Sequence, residues 1–319
     1  MSKMAKNEEI VNVQKAFSKN YLPLELLMLN DKLSNSLPNG GLPIKYKDTL
    51  SNDDVISLEI SKQGAKKPII TPVLLYYDDE RVKLNTGKPW TPYDRAVHDA
   101  CATLYEAGYE YFTADMVYRA MNGLTDKEKV SPQARGAVTK SLDKAMSIRL
   151  FINYTNVQSA YKRGKNTEII VDSQLLAADR LRAKAGGYEV TVYKFLRKPL
   201  LYEYNQTTGQ ILKIPNELLK TKSIKSTEDV IVIKSYLLRH IEAIRKNRRN
   251  NHIRYNAIYE ELGIEDPEDR AFKDRLYRIR SNIKKLLDEW TEKDYIKGYE
   301  EYDKRGSKGV IIRVMDELE

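Results

Sequence analysis

Between positions 270 and 285 the chain sets seven basic residues, Arg270, Lys273, Arg275, Arg278, Arg280, Lys284 and Lys285, against one acid, Asp274. A guanidinium group pairs through two N–H bonds with guanine edges or phosphate oxygens, and an ammonium group acts as a point charge on phosphate. These residue types therefore suit holding a polyanion, not moving protons or attacking carbonyls. Placed on a helix at 3.6 residues per turn, Arg270, Asp274, Tyr277, Arg278, Ser281, Lys284 and Lys285 share one side, with Lys273 flanking. Phe272, Leu276, Ile279, Ile283, Leu286, Leu287 and Trp290 form the opposite, apolar stripe. A solvated charged face or a short coiled-coil seam is the plain alternative for such a stripe.

Three further basic groups accompany it. The turn DKRGSKG at 303–309 carries Lys304, Arg305 and Lys308 between glycines, which let a backbone approach a phosphate or a minor groove. The stretch 239–254, RHIEAIRKNRRNNHIR, has six arginines or lysines and one acid; Arg245, Lys246, Arg248 and Arg249 are its candidates for phosphate contact. Earlier in the chain, Lys140 and Lys144 lie on a helix that precedes a basic loop with Lys162, Arg163 and Lys165. This earlier set is sparser, so a weaker or supporting role is expected there, shared with self-association.

Residue patterns for catalysis are missing. There is no G-x-x-x-x-G-K-[ST] loop and no G-x-S-x-G turn. His98, His240 and His252 are scattered, so the histidine pair that would hold a metal beside a nucleophilic tyrosine in a nickase is absent, although there are 22 tyrosines. The single cysteine, Cys101, excludes an internal disulfide and a cysteine-rich zinc site. The expectation is a non-enzymatic protein without metal or cofactor. The net charge of +9 suits nucleic acid first and an acidic membrane surface second. No apolar run is long enough to span a bilayer and the start of the chain lacks the apolar centre of a signal peptide, so a cytoplasmic location with no membrane partner is expected.

The elements that would position these groups repeat. Residues 1–50 show weak periodicity, with a short helix at 22–29, and are expected to form a mobile arm. Strands at 55–60 and 68–77 precede helices at 91–108, 113–121 and 131–148, a strand at 149–155, the loop 156–166 and a strand at 167–172. A helix over 173–187 and strands at 188–195, 199–204 and 210–214 complete a first domain, 51–220. After a linker at 221–227, helices at 229–245, 255–262 and 267–294 and strands at 295–302 and 310–314 form a second, 221–319. The predicted class is α+β: two tandem winged-helix domains, each a helix-turn-helix with a β-hairpin wing, behind a partly disordered arm. Lys-Arg-Gly recurs at 162–164 and 304–306, in each predicted wing.

The segments TPYDRAVHDACATLYEAG at 91–108, KPLLYEYNQTTGQILKIPNELL at 198–219 and YLLRHI at 236–241 resemble those of the tandem winged-helix replication initiators of plasmids and related mobile elements. The resemblance covers about 55–319 as a pattern. It implies a protein that binds double-stranded DNA repeats at an origin, helps open the neighbouring duplex and recruits host replication proteins. It also implies dimers that repress their own gene, and a main reading helix at 270–285. A transcriptional regulator or partition factor of a mobile element is the alternative within DNA binding, and a metal-dependent nickase the alternative outside it.

Overall fold

The computed structural model describes residues 23–61, 67–77, 89–153, 155–161, 169–185, 188–246, 249–267, 269, 272–304 and 307–315. An opening segment holds β1 (Glu25–Leu29), α1 (Lys32–Ser36), β2 (Ile44–Tyr46), β3 (Ile56–Ile60) and β4 (Ile69–Tyr77). A first unit follows with α2 (Pro92–Glu106), β5 (Tyr111–Phe112), α3 (Ala114–Asn122) and α4 (Pro132–Ser147). The chain then runs through β6 (Ile148–Asn153), α5 (Thr155–Tyr161) and β7 (Ile170–Gln174) before the hairpin β8 (Ala178–Ala185) and β9 (Tyr188–Phe195). Next come α6 (Leu200–Thr208), β10 (Ile211–Pro215) and α7 (Asn216–Leu219). A second unit closes the chain with α8 (Glu228–Arg245), β11 (His252–Arg254), α9 (Tyr255–Glu261), α10 (Lys273–Glu292), β12 (Ile296–Lys304) and β13 (Ser307–Val314). The α+β class is as the sequence predicts.

Helix starts follow from local chemistry. At α2, Thr91 Oγ1 accepts from Asp94 N at 3.1 Å while the Asp94 carboxylate accepts from Thr91 N at 2.9 Å, and Pro92 needs no N–H partner in the first turn. Thr113, Ser131 and Thr227 cap α3, α4 and α8 through their hydroxyls. Gly123 ends α3 at φ +61, and a Cβ there would lie 2.1 Å from the Asn216 carbonyl oxygen. That close approach seats α7 on the end of α3.

Both units share a sheet topology. In the first, the short strand β5 pairs with β9 and β9 with β8; in the second, β11 pairs with β13 and β13 with β12. The hairpin of the first unit is thus β8–β9. The sequence predicts it at 149–172, where β6 and β7 do pair antiparallel, but β6 also pairs with β4, which places the two in a separate sheet that also contains β2 and β3. Loop 156–166 was expected to be irregular; its beginning is helix α5, and 162–168 lie outside the described residues. The Lys-Arg-Gly repeat is therefore not a match between equivalent hairpins.

Three other expectations change type. The helix predicted over 173–187 is the end of β7 followed by β8. Arg180 and Arg182 stand two apart on a strand whose partner supplies Tyr193, so period two prevails. The strand predicted at 199–204 is α6, in which Leu200, Tyr204 and Thr208 are buried at four-residue spacing. The helix predicted at 22–29 is β1, paired antiparallel with β10 and hydrogen-bonded to α2 through Leu27 N to Thr103 Oγ1 and Leu29 N to Asp99 Oδ1. Residues 23–50 are consequently packed onto the body where a mobile arm was expected; 1–22 lie outside the described residues.

One continuous apolar core runs through both units. Their junction carries buried polar bonds. Arg239 on α8 meets Asp99 on α2 at 2.5 Å, both side chains nearly inaccessible. Lys234 Nζ donates to Leu219 O at 2.7 Å and to Asn122 Oδ1 at 3.2 Å. Trp290 Nε1 donates to Leu218 O at 2.9 Å. The predicted linker is pinned as well, because Lys222 N and Ser223 N both donate to the Glu289 carboxylate. Asn39, from the opening segment, donates to the Glu260 and Glu261 carbonyls that end α9.

Candidate nucleic-acid interface

Helix α10 begins at Lys273, later than the predicted 267, and Arg270 lies outside the described residues. Leu276, Ile279, Ile283, Leu286, Leu287 and Trp290 are buried, as the apolar stripe requires. The opposite side leaves Lys273, Tyr277, Arg278 and Lys285 exposed, Tyr277 at 75%. Among the described residues none of the cations Lys273, Arg278 and Lys285 forms an ion pair or hydrogen bond. Ser281 is half-buried beside them.

The remaining cations of α10 are engaged. Arg275 makes a two-point contact with Asp229 at 2.9 and 3.1 Å. Lys284 Nζ stands 2.8 Å from Glu301 on β12. That lysine and the Tyr255 hydroxyl, which donates to Glu301 at 2.7 Å, hold the Glu301 carboxyl below its ordinary value. Arg280 Nε donates to the Tyr259 hydroxyl at 2.6 Å, with the Tyr255 and Tyr259 ring centroids 5.8 and 5.9 Å from its guanidinium carbon.

The hairpin stands beside α10. Gly309 faces β11 so closely that a Cβ would lie 2.2 Å from the Ile253 carbonyl oxygen, which fixes the hairpin against the start of α9. Lys304 is exposed and Lys308 pairs with Asp303 at 2.9 Å across the strands. Arg305 lies outside the described residues. The hairpin also bears Glu300, which takes Arg313, so its surface is less uniformly basic than the turn alone suggests.

Two candidate contacts are corrected. Arg245 turns inward: it pairs with Glu242, donates to Tyr295 O at 2.5 Å and lies 4.3 Å over the Tyr295 ring. Lys144 is buried and meets Asp94 at 2.5 Å and Pro89 O at 3.2 Å, because the capping carboxylate of α2 needs a counter-charge there. Lys246 and Arg249 are exposed, and Arg248 lies outside the described residues. Lys140 is exposed on α4, while Lys162, Arg163 and Lys165 lie outside the described residues.

Arg280 is the residue that the pattern of the basic face misses, because on a wheel it sits at the edge of the apolar stripe. A usable signal was present: tyrosines four apart at 255 and 259, on the preceding short helix, form a surface on which an arginine can lie.

Among the described residues no helix is long and apolar enough to cross a membrane, and no group of three or more His, Cys, Asp or Glu side chains could hold a metal ion. No family model matches the sequence, and no curated protein matches it. Among solved structures, the chain is similar to a selenomethionine crystal structure of domains 2 and 3 of RctB, with a TM-score of 0.41, 14% identity, and coverage of 90% of this chain and 99% of that one. It is also similar to a second crystal structure of RctB domains 2–3, with a TM-score of 0.41, 10% identity, and coverage of 85% of this chain and 95% of that one.

Proposed function

We propose that the chain is a sequence-specific double-stranded DNA-binding protein with two winged-helix units, and that it initiates replication at repeats in the origin of a plasmid or mobile element. The observation that carries the DNA reading is the cationic face of α10, Lys273, Arg278 and Lys285 around the exposed Tyr277, which has no ion-pair partner among the described residues and stands next to the hairpin β12–β13. A helix of this kind fits the major groove, where arginine reads guanine and lysine takes phosphate. The order helix, short strand, helix, helix, hairpin, which a winged helix-turn-helix also has, runs unbroken in the second unit and with β6–α5–β7 inserted before the hairpin in the first, and this supports the reading. Initiation, and the involvement of a second copy and host replication proteins, come from the resemblance of the sequence to tandem winged-helix initiators. In this reading the protein acts by binding, without catalysis, in the cytoplasm.

Selection of bound sequences from random duplexes, followed by footprinting on the flanking DNA, tests the proposal. Enrichment of a motif that recurs as direct repeats, with permanganate-reactive bases in an adjoining AT-rich segment, is the expected result. A lone palindrome without duplex opening makes the protein a regulator instead. Absence of any enriched motif removes the sequence-specific reading, and a covalent tyrosine–DNA product with Mg²⁺ removes the non-enzymatic one.

A further inference from the structure

We propose that Arg280 is a preorganised anion-binding side chain whose ligand is a backbone phosphodiester of the DNA, seated in the groove between α10 and the hairpin β12–β13. This rests on the DNA-binding reading and adds to it a residue outside the exposed basic face.

The side chain is half-buried and already ordered. Its Nε donates to the Tyr259 hydroxyl at 2.6 Å, and its guanidinium carbon lies 5.8 and 5.9 Å from the Tyr255 and Tyr259 ring centroids. With Nε engaged, the two Nη groups remain, and each has two N–H donors. Among the described residues no carboxylate lies within ion-pair distance of Arg280 and no acceptor meets its Nη atoms. No Arg280 atom is among the buried polar atoms without a partner, so the Nη donors face solvent, where an anion can reach them.

The groove on which the fork opens has a volume of about 470 Å³ and is lined by Ser281, Tyr277 and Lys308 as well as Arg280. Two carboxylates share it, and both are already occupied. Glu301 takes Lys284 at 2.8 Å and the Tyr255 hydroxyl at 2.7 Å, and Asp303 takes Lys308 at 2.9 Å. The paired charges cancel, and the charge of Arg280 remains over.

The position favours phosphate over a base edge. Tyr277, one turn earlier on α10, stands far into solvent, and Arg278 beside it is exposed. Those two reach furthest toward a groove floor. Arg280 sits behind them, where a strand of backbone passing between helix and hairpin comes to it. The planar fork matches two phosphate oxygens at once, and its ordering is complete before DNA arrives.

The test measures duplex affinity against salt for the full chain and for Arg280→Ala, Arg280→Lys and Tyr259→Phe, using both a selected and an unrelated duplex. Arg280→Ala is expected to weaken both duplexes by a similar factor, about ten- to hundredfold. It should also lower the slope of log affinity against log salt by about 1. Arg280→Lys keeps the slope but loses affinity, because an ammonium has no fork. Tyr259→Phe removes only the anchor, weakens binding less and leaves the slope unchanged; it serves even if the alanine variant folds poorly. Wild-type affinity and slope in all three variants overturn the assignment while leaving the DNA reading standing. Loss confined to one base position overturns the phosphate assignment. A wild-type chain that binds neither duplex sinks both readings together.

Discussion

In the first unit the third helix, α4, carries Arg135, Lys140 and Lys144; in the second, α10 carries Lys273, Arg275, Arg278, Arg280, Lys284 and Lys285. Apart from the insertion β6–α5–β7 the scaffolds match in element order and in sheet order, and they differ in where the cations point. Arg135 is clasped by Asp115 at 2.6 and 2.8 Å, Lys144 is buried on Asp94, and Arg180 of the hairpin β8–β9 is paired with Asp143. These contacts tie α4 to α3, α2 and its own hairpin. In the second unit, Lys273, Arg278 and Lys285 of α10 have no partner among the described residues. The paired unit also carries the insertion at 148–174 and the contacts of the opening segment. In the proposed DNA-binding reading, the first unit is thus chiefly a platform and the second chiefly a reader, although their sheet topology is the same.

The strongest way to break this comparison is to break the junction on which it depends. Asp99 and Arg239 are a buried pair across the two units, and Leu29 N also donates to Asp99. Arg95 is close by, pushed down to about 9 by burial and by Arg239. Asp99→Ala leaves the buried Arg239 guanidinium without its carboxylate, and a loss of about 3–5 kcal/mol is expected. Thermal unfolding followed by calorimetry should show one transition, moved well down, since both units share the core. Two separated transitions in the wild-type chain would refute the single-body description.

Lys234 tests the same junction by pH. Burial pushes its ammonium down to about 7 from an ordinary 10.5. Between those values the unfolded chain holds a proton that the folded chain has released, so this group makes stability rise with pH across that window. Lys234→Met removes that contribution. The difference in melting temperature between wild type and variant should therefore shift in favour of wild type from pH 7 to pH 9. A constant difference would show that Lys234 keeps its ordinary charge in the core.

In the proposed reading the two units separate on DNA. Arg278→Ala should cost about 1–3 kcal/mol and relax preference at one base position in a selection experiment. Lys140→Ala on α4 should leave base preference intact. Lys144→Ala should lower the melting temperature, since it strips Asp94 of its buried counter-charge. A loss of base preference on Lys140→Ala equal to that of Arg278→Ala would make both units readers.

The pattern of types along the chain made much of this legible. Threonine or serine caps and helical spacing place α2, α3, α4 and α8 within a residue or two, spacing alone places α9, and the apolar stripe of α10 is legible in full. Errors fell where local pattern is degenerate. The run Glu25–Leu29 is apolar without a period, and only its pairing with β10 makes it a strand. The segments 173–187 and 199–204 exchanged helix and strand because their partners, β9 for one and the core under α6 for the other, are remote in sequence. Misplacing the first hairpin followed from the insertion β6–α5–β7, which gives a strand, a helix and a strand where a short hairpin was expected. Charge was the least legible quantity. Lys144 and Arg245 read as surface cations, and only the positions of Asp94, Glu242 and Tyr295 show that they are spent inside.

The hairpins give the smallest and most discriminating contrast. Lys194 on β9 lies 5.3 Å over the Tyr111 ring and 3.5 Å from Glu110, so its charge is shared within the unit. Lys304, at the end of β12, is exposed and meets no partner among the described residues. If the second hairpin flanks the duplex, Lys304→Ala should weaken all sequences alike by a few fold and lower the salt slope by about 1. Lys194→Ala should change neither, because a cation already neutralised releases no counterion when DNA binds. Equal effects of the two substitutions would place both hairpins on the DNA and make the platform a second point of grip. The salt slope is the decisive readout, since it counts phosphate contacts irrespective of which sequence the reading helix prefers.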